Sequence, residues 1–180
     1  MKVLISILSI LFGCYTLQAQ TLVTRNGYIG FFSKTPLEDI KAENRQVVAA
    51  LDLQKKSIAL TALLKSFLFR KELMQQHFNE NYVESDKYPK TSFLGTFTGD
   101  VDTRKEGSYP VHVKGKLTLH GVTRDIAVPA VLTVQDGRMV GNCHFQLLPS
   151  DFNIKIPAIV RDKIAERIDV QVSVEYPIRQ

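Results

Sequence analysis

The sequence predicts a mainly β fold, a closed antiparallel barrel of about eight strands with one inserted α-helix. Three observations predict it. Beyond residue 90, apolar and polar residues alternate with a period of two, the mark of strands with one buried face. Over residues 69–81 the rhythm changes to helical spacing. The strands are also too many for a flat open sheet in so short a chain, and closing the sheet removes its exposed edges.

The first nineteen residues, MKVLISILSILFGCYTLQA, have the build of a secretory signal peptide. Lys2 gives a positive start, residues 3–12 an apolar run, and Leu17-Gln18-Ala19 a cleavage site before Gln20. The run is shorter than the roughly 20 residues a membrane-spanning helix needs. Leu11-Phe12-Gly13-Cys14 is also a loose lipobox, so a lipoprotein anchored through Cys14 stands as a second reading. Either way the chain is expected to be exported, periplasmic or secreted, with residues 20–180 as one domain. Losing the leader removes one Lys, leaving 22 Lys and Arg against 18 Asp and Glu. The basic residues are scattered and not interleaved with aromatics, so no nucleic-acid partner is expected. Cys143 is the one cysteine beyond the leader, which rules out an internal disulfide and leaves stability to the core.

In the first third, residues 28–33, 38–43, 46–52 and 57–64 each read as a short strand, with a turn at Lys34-Thr35-Pro36. The Ala-rich run VVAALDLQKKSIALTALL also fits a helix, but a meander has to pass through it. Phe69, Leu73, Met74, His77 and Phe78 then recur at helical spacing, predicting about three turns over 69–81, and Tyr88-Pro89 ends that segment. From 91 to 99 the inward set is Phe93, Gly95 and Phe97. From 109 to 119 it is Val111, Val113, Gly115, Leu117 and Leu119. Beyond His120-Gly121 it becomes Ile126, Val128, Ala130, Leu132 and Val134, and Asp136-Gly137 marks a tight hairpin. The return strand offers Met139, Gly141, Cys143, Phe145 and Leu147, and the last, over 167–176, turns Ile168, Val170, Val172, Val174 and Tyr176 inward.

Signals for chemistry are sparse. His77, His112, His120 and His144 share no metal-ligand spacing, and no HExxH, GxSxG, SxxK, P-loop or GxGxxG occurs. His112 and His144 fall on polar strand faces, and His77 reads as a core or rim histidine. Asp100 and Asp102 sit in a turn-like stretch and are expected to stay in water. No cofactor, metal or catalytic residue is assigned. The small inward residues Gly95, Gly115, Ala130 and Gly141 either free volume inside the barrel or mark sharp strand bends, and both readings stay open. A barrel of about eight strands is just wide enough to be filled by its own side chains or to hold one ligand. The phenylalanines fit an ordinary core or an apolar cavity covered by the helix.

Several stretches resemble the YceI-like proteins. KGKLTLHGVTRDIAVPAVL (residues 114–132) is similar to their strand–turn–strand, and HFNENYVESDKYPKTSF (77–93) to their helix-to-strand segment. SDFNI (150–154) and RIDVQVSVEY (167–176) also fit, so the resemblance covers roughly residues 55–176. It implies an exported, lipocalin-like barrel whose relatives bind long isoprenoid or quinone-like lipids in an elongated apolar channel. It also implies a structural corner at His120-Gly121, with Gly121 at positive φ and Thr123 capping exposed backbone. The chain departs where the family often carries Arg-Asp-x-His, having Met74-Gln75-Gln76-His77 there, and it has no Trp. Its first third matches only loosely.

The expected function is non-catalytic carriage or sequestration of a long apolar lipid. Phe93, Phe97, Leu117, Leu119, Ile126, Val128 and Phe145 would form the wall, and Met74 and Phe78 a helical lid. The competing reading is a ligand-free structural or protein-interaction barrel of the cell envelope. A lipid-acting enzyme using His77 or Asp100 and Asp102 would need a titratable cluster at the mouth. A transient contact with a membrane surface stays open, as does a homodimer paired through Tyr176 or the first strands.

Overall fold

The computed structural model describes residues 21–178. The expected leader, its cleavage point and Cys14 lie outside the described residues. Nine strands follow in chain order: β1 (Thr21–Lys34), β2 (Asp39–Asp52), β3 (Ser57–Leu63), the two-residue β4 (Leu68–Phe69), β5 (Lys90–Thr98), β6 (Gly107–Leu119), β7 (Val122–Gln135), β8 (Arg138–Leu147) and β9 (Ile168–Pro177). Between β4 and β5 lies α1 (Glu72–His77), continued by a π-helical turn, Phe78–Tyr82.

The sheet order is β1-β9-β8-β7-β6-β5-β3-β2, with β2 paired back onto β1 and β4 lying beside β2. Eight strands therefore close into an up-and-down antiparallel barrel. Closure comes from β1 against β9, from Tyr28 opposite Ser173 to Phe32 opposite Asp169. The strands expected to offer an edge to a second copy are paired with each other, and Tyr176 turns inward, fully buried. Over these five residue pairs, barrel closure uses the backbone groups that an edge would offer.

The four short strands of the first third prove to be two strands of 14 residues and one of seven. The reason is a phase change in each long strand. Ala42 and Asn44 face inward on β2, but the next inward residues are Val47, Ala49 and Leu51, so two residues intervene at Arg45-Gln46. The register with β1 slips at the same level, between Thr24 and Gly27 and again between Gly27 and Ile29. Asn44 stabilises this bulge. Fully buried, it donates from Nδ2 to the Leu63 carbonyl (2.9 Å) and accepts the Gln46 N–H (2.8 Å) at Oδ1.

The helix is shorter than its spacing predicts. Phe69 belongs to β4, opposite Ala42, and its N–H donates to the Gln75 side chain (3.1 Å), so the helix starts three residues later. Both central hairpins are two-residue turns of positive φ, His120-Gly121 (50° and 72°) and Asp136-Gly137 (51° and 69°). That conformation matches the twist of the flanking strands. The corner at Gly121 is as expected, and His120 joins it in the left-handed region. Thr123 pairs with the Thr118 hydroxyl across the hairpin (2.8 Å).

The glycines divide. A Cβ on Gly115 would strike the Leu94 carbonyl and lie 2.5 Å from the Cα of Gly95 directly opposite, and the Phe93 ring covers both residues. Close strand approach, not free volume, accounts for this pair. Gly141 is crowded as well, with Leu132 and Val174 side-chain atoms 3.1 and 3.2 Å from its Cβ position.

Candidate functional site

Inward residues fall into three tiers along the barrel axis. At one end Leu22, Leu51, Val134, Met139, Val174 and Tyr176 are buried against each other, which closes the barrel. At the other, Leu64, Phe67, Val83, Phe152 and Ile154 form a second buried cluster beneath the helix. Between them Leu117, Ile126, Val128, Ala130, Phe145 and Val172 point inward yet remain only half-buried. Their residual exposure faces a cavity of about 580 Å³, inside the range of about 300–1,000 Å³ typical of small-molecule sites.

All nine residues expected to line a ligand channel line this cavity. Phe93, Phe97, Leu117, Leu119, Ile126, Val128 and Phe145 come from the strands, and Met74 and Phe78 from the helical segment. Three groups of wall residues escaped the sequence reading. Ile29, Phe31, Ile58 and Leu60 come from the first three strands, Phe67 precedes β4 and Phe69 ends it, and Ile156, Val160 and Ile164 belong to the segment between β8 and β9. Phe31, Phe67, Phe69 and Phe78 form an aromatic cluster beside the mouth, with centroids 5.1–5.8 Å apart. Tilted and edge-on pairs of this kind contribute about 0.5–1.5 kcal/mol each beyond their burial. No sequence signal marks the third group, because the spacing of Ile154, Ile156, Val160 and Ile164 follows no single period.

Polar groups concentrate at the mouth. Glu38, Lys71, His77 and Lys163 reach the cavity there. Lys71 Nζ donates to Glu38 Oε1 (2.6 Å), and this hydrogen bond holds the Glu38 carboxyl below its ordinary value, with Lys163 adding to the effect. His77 is exposed at this rim and is not a core histidine. Asp100 and Asp102 lie in water at the opposite, closed end, paired with Lys56 (3.0 Å) and Arg104 (3.1 Å). His112 and His144 are exposed as expected.

Deeper in, the polar groups are inert. Cys143 is a free thiol on the wall, and burial pushes its pKa up to about 11, so it behaves as a small apolar residue. The Tyr176 hydroxyl at the closed end is buried without a hydrogen-bond partner, and burial pushes its pKa upward. Among the described residues no cluster of His, Cys, Asp and Glu could hold a metal ion.

His120 is more than a corner. Its Nε2 meets Glu84 Oε2 at 2.6 Å and its Nδ1 the Phe152 carbonyl at 3.0 Å, while the Tyr88 ring stands edge-on at 4.8 Å. Both partners are oxygens, so a ring nitrogen that carries a hydrogen donates to the oxygen it faces. The side chain thus fastens three segments beside the helical end: the loop leaving the π turn, the β6–β7 hairpin and the short 3₁₀ turn Pro149–Phe152. The fastening holds residues in uncommon backbone, since Glu84, His120 and Asn153 all have positive φ (46°, 50° and 57°). The His120 hydrogen bond is the main influence holding the Glu84 carboxyl below its ordinary 4.5, and Lys87 reinforces it. A carboxylate with a depressed folded value adds stability above its unfolded value and loses it as the pH falls through the folded one. The melting-temperature gap between wild type and Glu84→Gln is therefore expected to be full above 4.5 and to close in more acid solution. Thermal melts across that range check it, and a gap unchanged in acid would rule out the ionic contact.

Fold and cavity together define a lipocalin-like barrel, closed at one end, with a deep apolar pocket opening under a helical lid. A YceI-like domain match extends over residues 19–176, and the chain belongs to the YceI-like family. Solved structures agree in fold. A polyisoprenoid-binding domain from Saccharophagus degradans, implicated in plant cell wall breakdown, superposes with a TM-score of 0.75 at 13% identity, covering 90% of this chain and 100% of that one. BcnA of Burkholderia cenocepacia gives 0.70 at 16%, covering 83% and 95%. The Campylobacter jejuni YceI protein gives 0.58 at 16%, covering 100% and 94%. Comparison with curated protein sequences finds no match.

Proposed function

We propose that this protein binds a long apolar lipid of isoprenoid or quinone-like class in its barrel and carries or sequesters it without chemical change, in the cell envelope to which residues 1–19 direct it. The observation that carries this reading is the cavity itself, about 580 Å³ walled by apolar side chains from eight strands and the lid. Energetics favour a long ligand. Burying each CH₂ gains about 0.8 kcal/mol, while association first costs about 4–15 kcal/mol. A short acyl fragment barely clears that cost, and a chain of about twenty carbons exceeds it with no charged anchor. The polyisoprenoid-binding description of the Saccharophagus degradans domain supports the same class.

The non-catalytic part of the reading rests on the placement of titratable groups. Most of those reaching the cavity stand at its rim, where Glu38 and Lys71 are engaged with each other, and the others are a raised thiol and the raised phenols of Tyr82 and Tyr176. The alternative of a barrel filled by its own side chains fits poorly with half-buried inward residues around an open volume.

Native mass spectrometry of the protein, purified without detergent from an exporting host and followed by lipid extraction, tests the proposal. The expected result is added mass released on extraction as a prenyl chain or prenylated quinone. A clean apo mass that persists after incubation with polyprenyl lipids and quinones would overturn it.

A further inference from the structure

We infer that the mouth of the barrel is a peripheral docking surface for an anionic lipid bilayer. The inference deepens the lipid-carrying reading, since a cargo dissolved in a membrane has to cross from bilayer to cavity, but its observations are separate. Three segments frame the opening: the β1–β2 hairpin, the start of α1, and residues 155–167. They are tied together, because Lys71 of the helical segment reaches Glu38 of the hairpin, and the Ala165 N–H donates to Ser33 Oγ (2.8 Å) at the end of β1.

Each segment holds one large apolar side chain out in water: Leu37 is 68% exposed, Leu73 61% and Ile159 91%. Their chain neighbours Glu38, Met74 and Val160 line the cavity, so all three stand beside its opening. Single exposed apolar residues are ordinary, but one from each of three segments around a single apolar opening is a patterned rim. The same segments carry most of the net positive charge. Residues 34–40, 69–78 and 154–167 hold seven Lys and Arg against five Asp and Glu, while the remaining described residues hold fourteen against thirteen.

Apolar side chains that enter the headgroup–acyl boundary, beside cations that meet acidic headgroups, are the chemistry of interfacial lipid binding. Among the described residues no helix is long and apolar enough to cross a membrane, and the rim needs none. Docking there would set the cavity mouth against the acyl layer, so an apolar chain could pass without entering water.

Flotation of the mature full-length protein with vesicles of phosphatidylcholine alone, or mixed with phosphatidylglycerol, tests the inference. The expected result is binding to the mixed vesicles that weakens with salt and falls about tenfold in the double variant Leu37→Ser with Ile159→Ser, and about as much in Arg161→Glu. Leu94→Ser, an equally exposed leucine on the barrel wall (64%), should leave flotation unchanged. No flotation of the wild type, or equal flotation of the double variant, would overturn the inference. So would a concentration-dependent dimer that the double variant loses, because it would assign the rim to a second copy. Uptake of a polyprenyl lipid added from ethanol, without vesicles, separates the two readings. A protein that floats but never loads sinks carriage alone, and one that loads but never floats sinks docking alone.

Discussion

Ala130→Phe is expected to abolish lipid uptake while leaving the barrel folded. Ala130 sits mid-strand on β7, opposite Val111 on one side and Cys143 on the other, and its side chain lines the cavity. A phenyl ring there projects into open volume and not into packed neighbours. If the ring takes the place of about five methylenes of cargo, the loss is about 4 kcal/mol, close to three decades of affinity. The measurement is lipid recovered per mole of purified variant, with a thermal melt to establish folding. Wild-type lipid content in a folded Ala130→Phe would place the ligand elsewhere. Gly141→Phe looks equivalent in the sequence and is not. Leu132 and Val174 already crowd that Cβ position, so this variant is expected to fail by unfolding, uninformative about cargo.

Gly115→Ala is expected to cost much stability through a single added methyl. Its methyl would be driven into the Leu94 carbonyl, with Gly95 Cα at 2.5 Å and the Phe93 ring at 2.7 Å. Backbone cannot yield as a flexible side chain does, so the two paired strands must separate. A cost of about 3 kcal/mol is expected, at the upper end of ordinary overpacking, or about 6–12 °C in melting temperature for a chain of this size. Gly137→Ala is the calibrating comparison. That glycine also has positive φ (69°), but nothing lies within 4 Å of its Cβ position, so only the cost of the left-handed backbone, about 1–2 kcal/mol, applies. Equal melting temperatures for the two variants would refute close strand approach as the reason for Gly115.

Where alternation is unbroken the sequence could be read almost residue by residue. β5 to β9 lie within a residue or two of the expected runs, and every inward residue expected there does point inward. The first third failed for a local reason. Bulges near Arg25-Asn26 and at Arg45-Gln46 shift the phase of the pattern, so each long strand read as fragments or lost its start. The wall residues missed at Ile29 and Phe31 follow from that loss of phase. Nothing in the chain near His120 signals its partners, because Glu84 lies 36 residues before it and Phe152 32 after it. The rim segment of residues 155–167 was equally hidden, since a segment held by one tertiary hydrogen bond and one short 3₁₀ turn has no repeating spacing to find.

Closure of β1 on β9 also decides when folding can finish. Tyr28 and Ser173 are neighbours in the sheet but 145 positions apart in the chain, and joining such distant segments is entropically slow compared with forming a two-residue hairpin. The hairpins from β5 to β9 can form as they emerge from the ribosome. The ring stays open until β9 has been synthesised and can reach β1. Until that pairing forms, the inward faces of β1 and β9 have no common wall to bury against, so the seam is the last part of the barrel to seal.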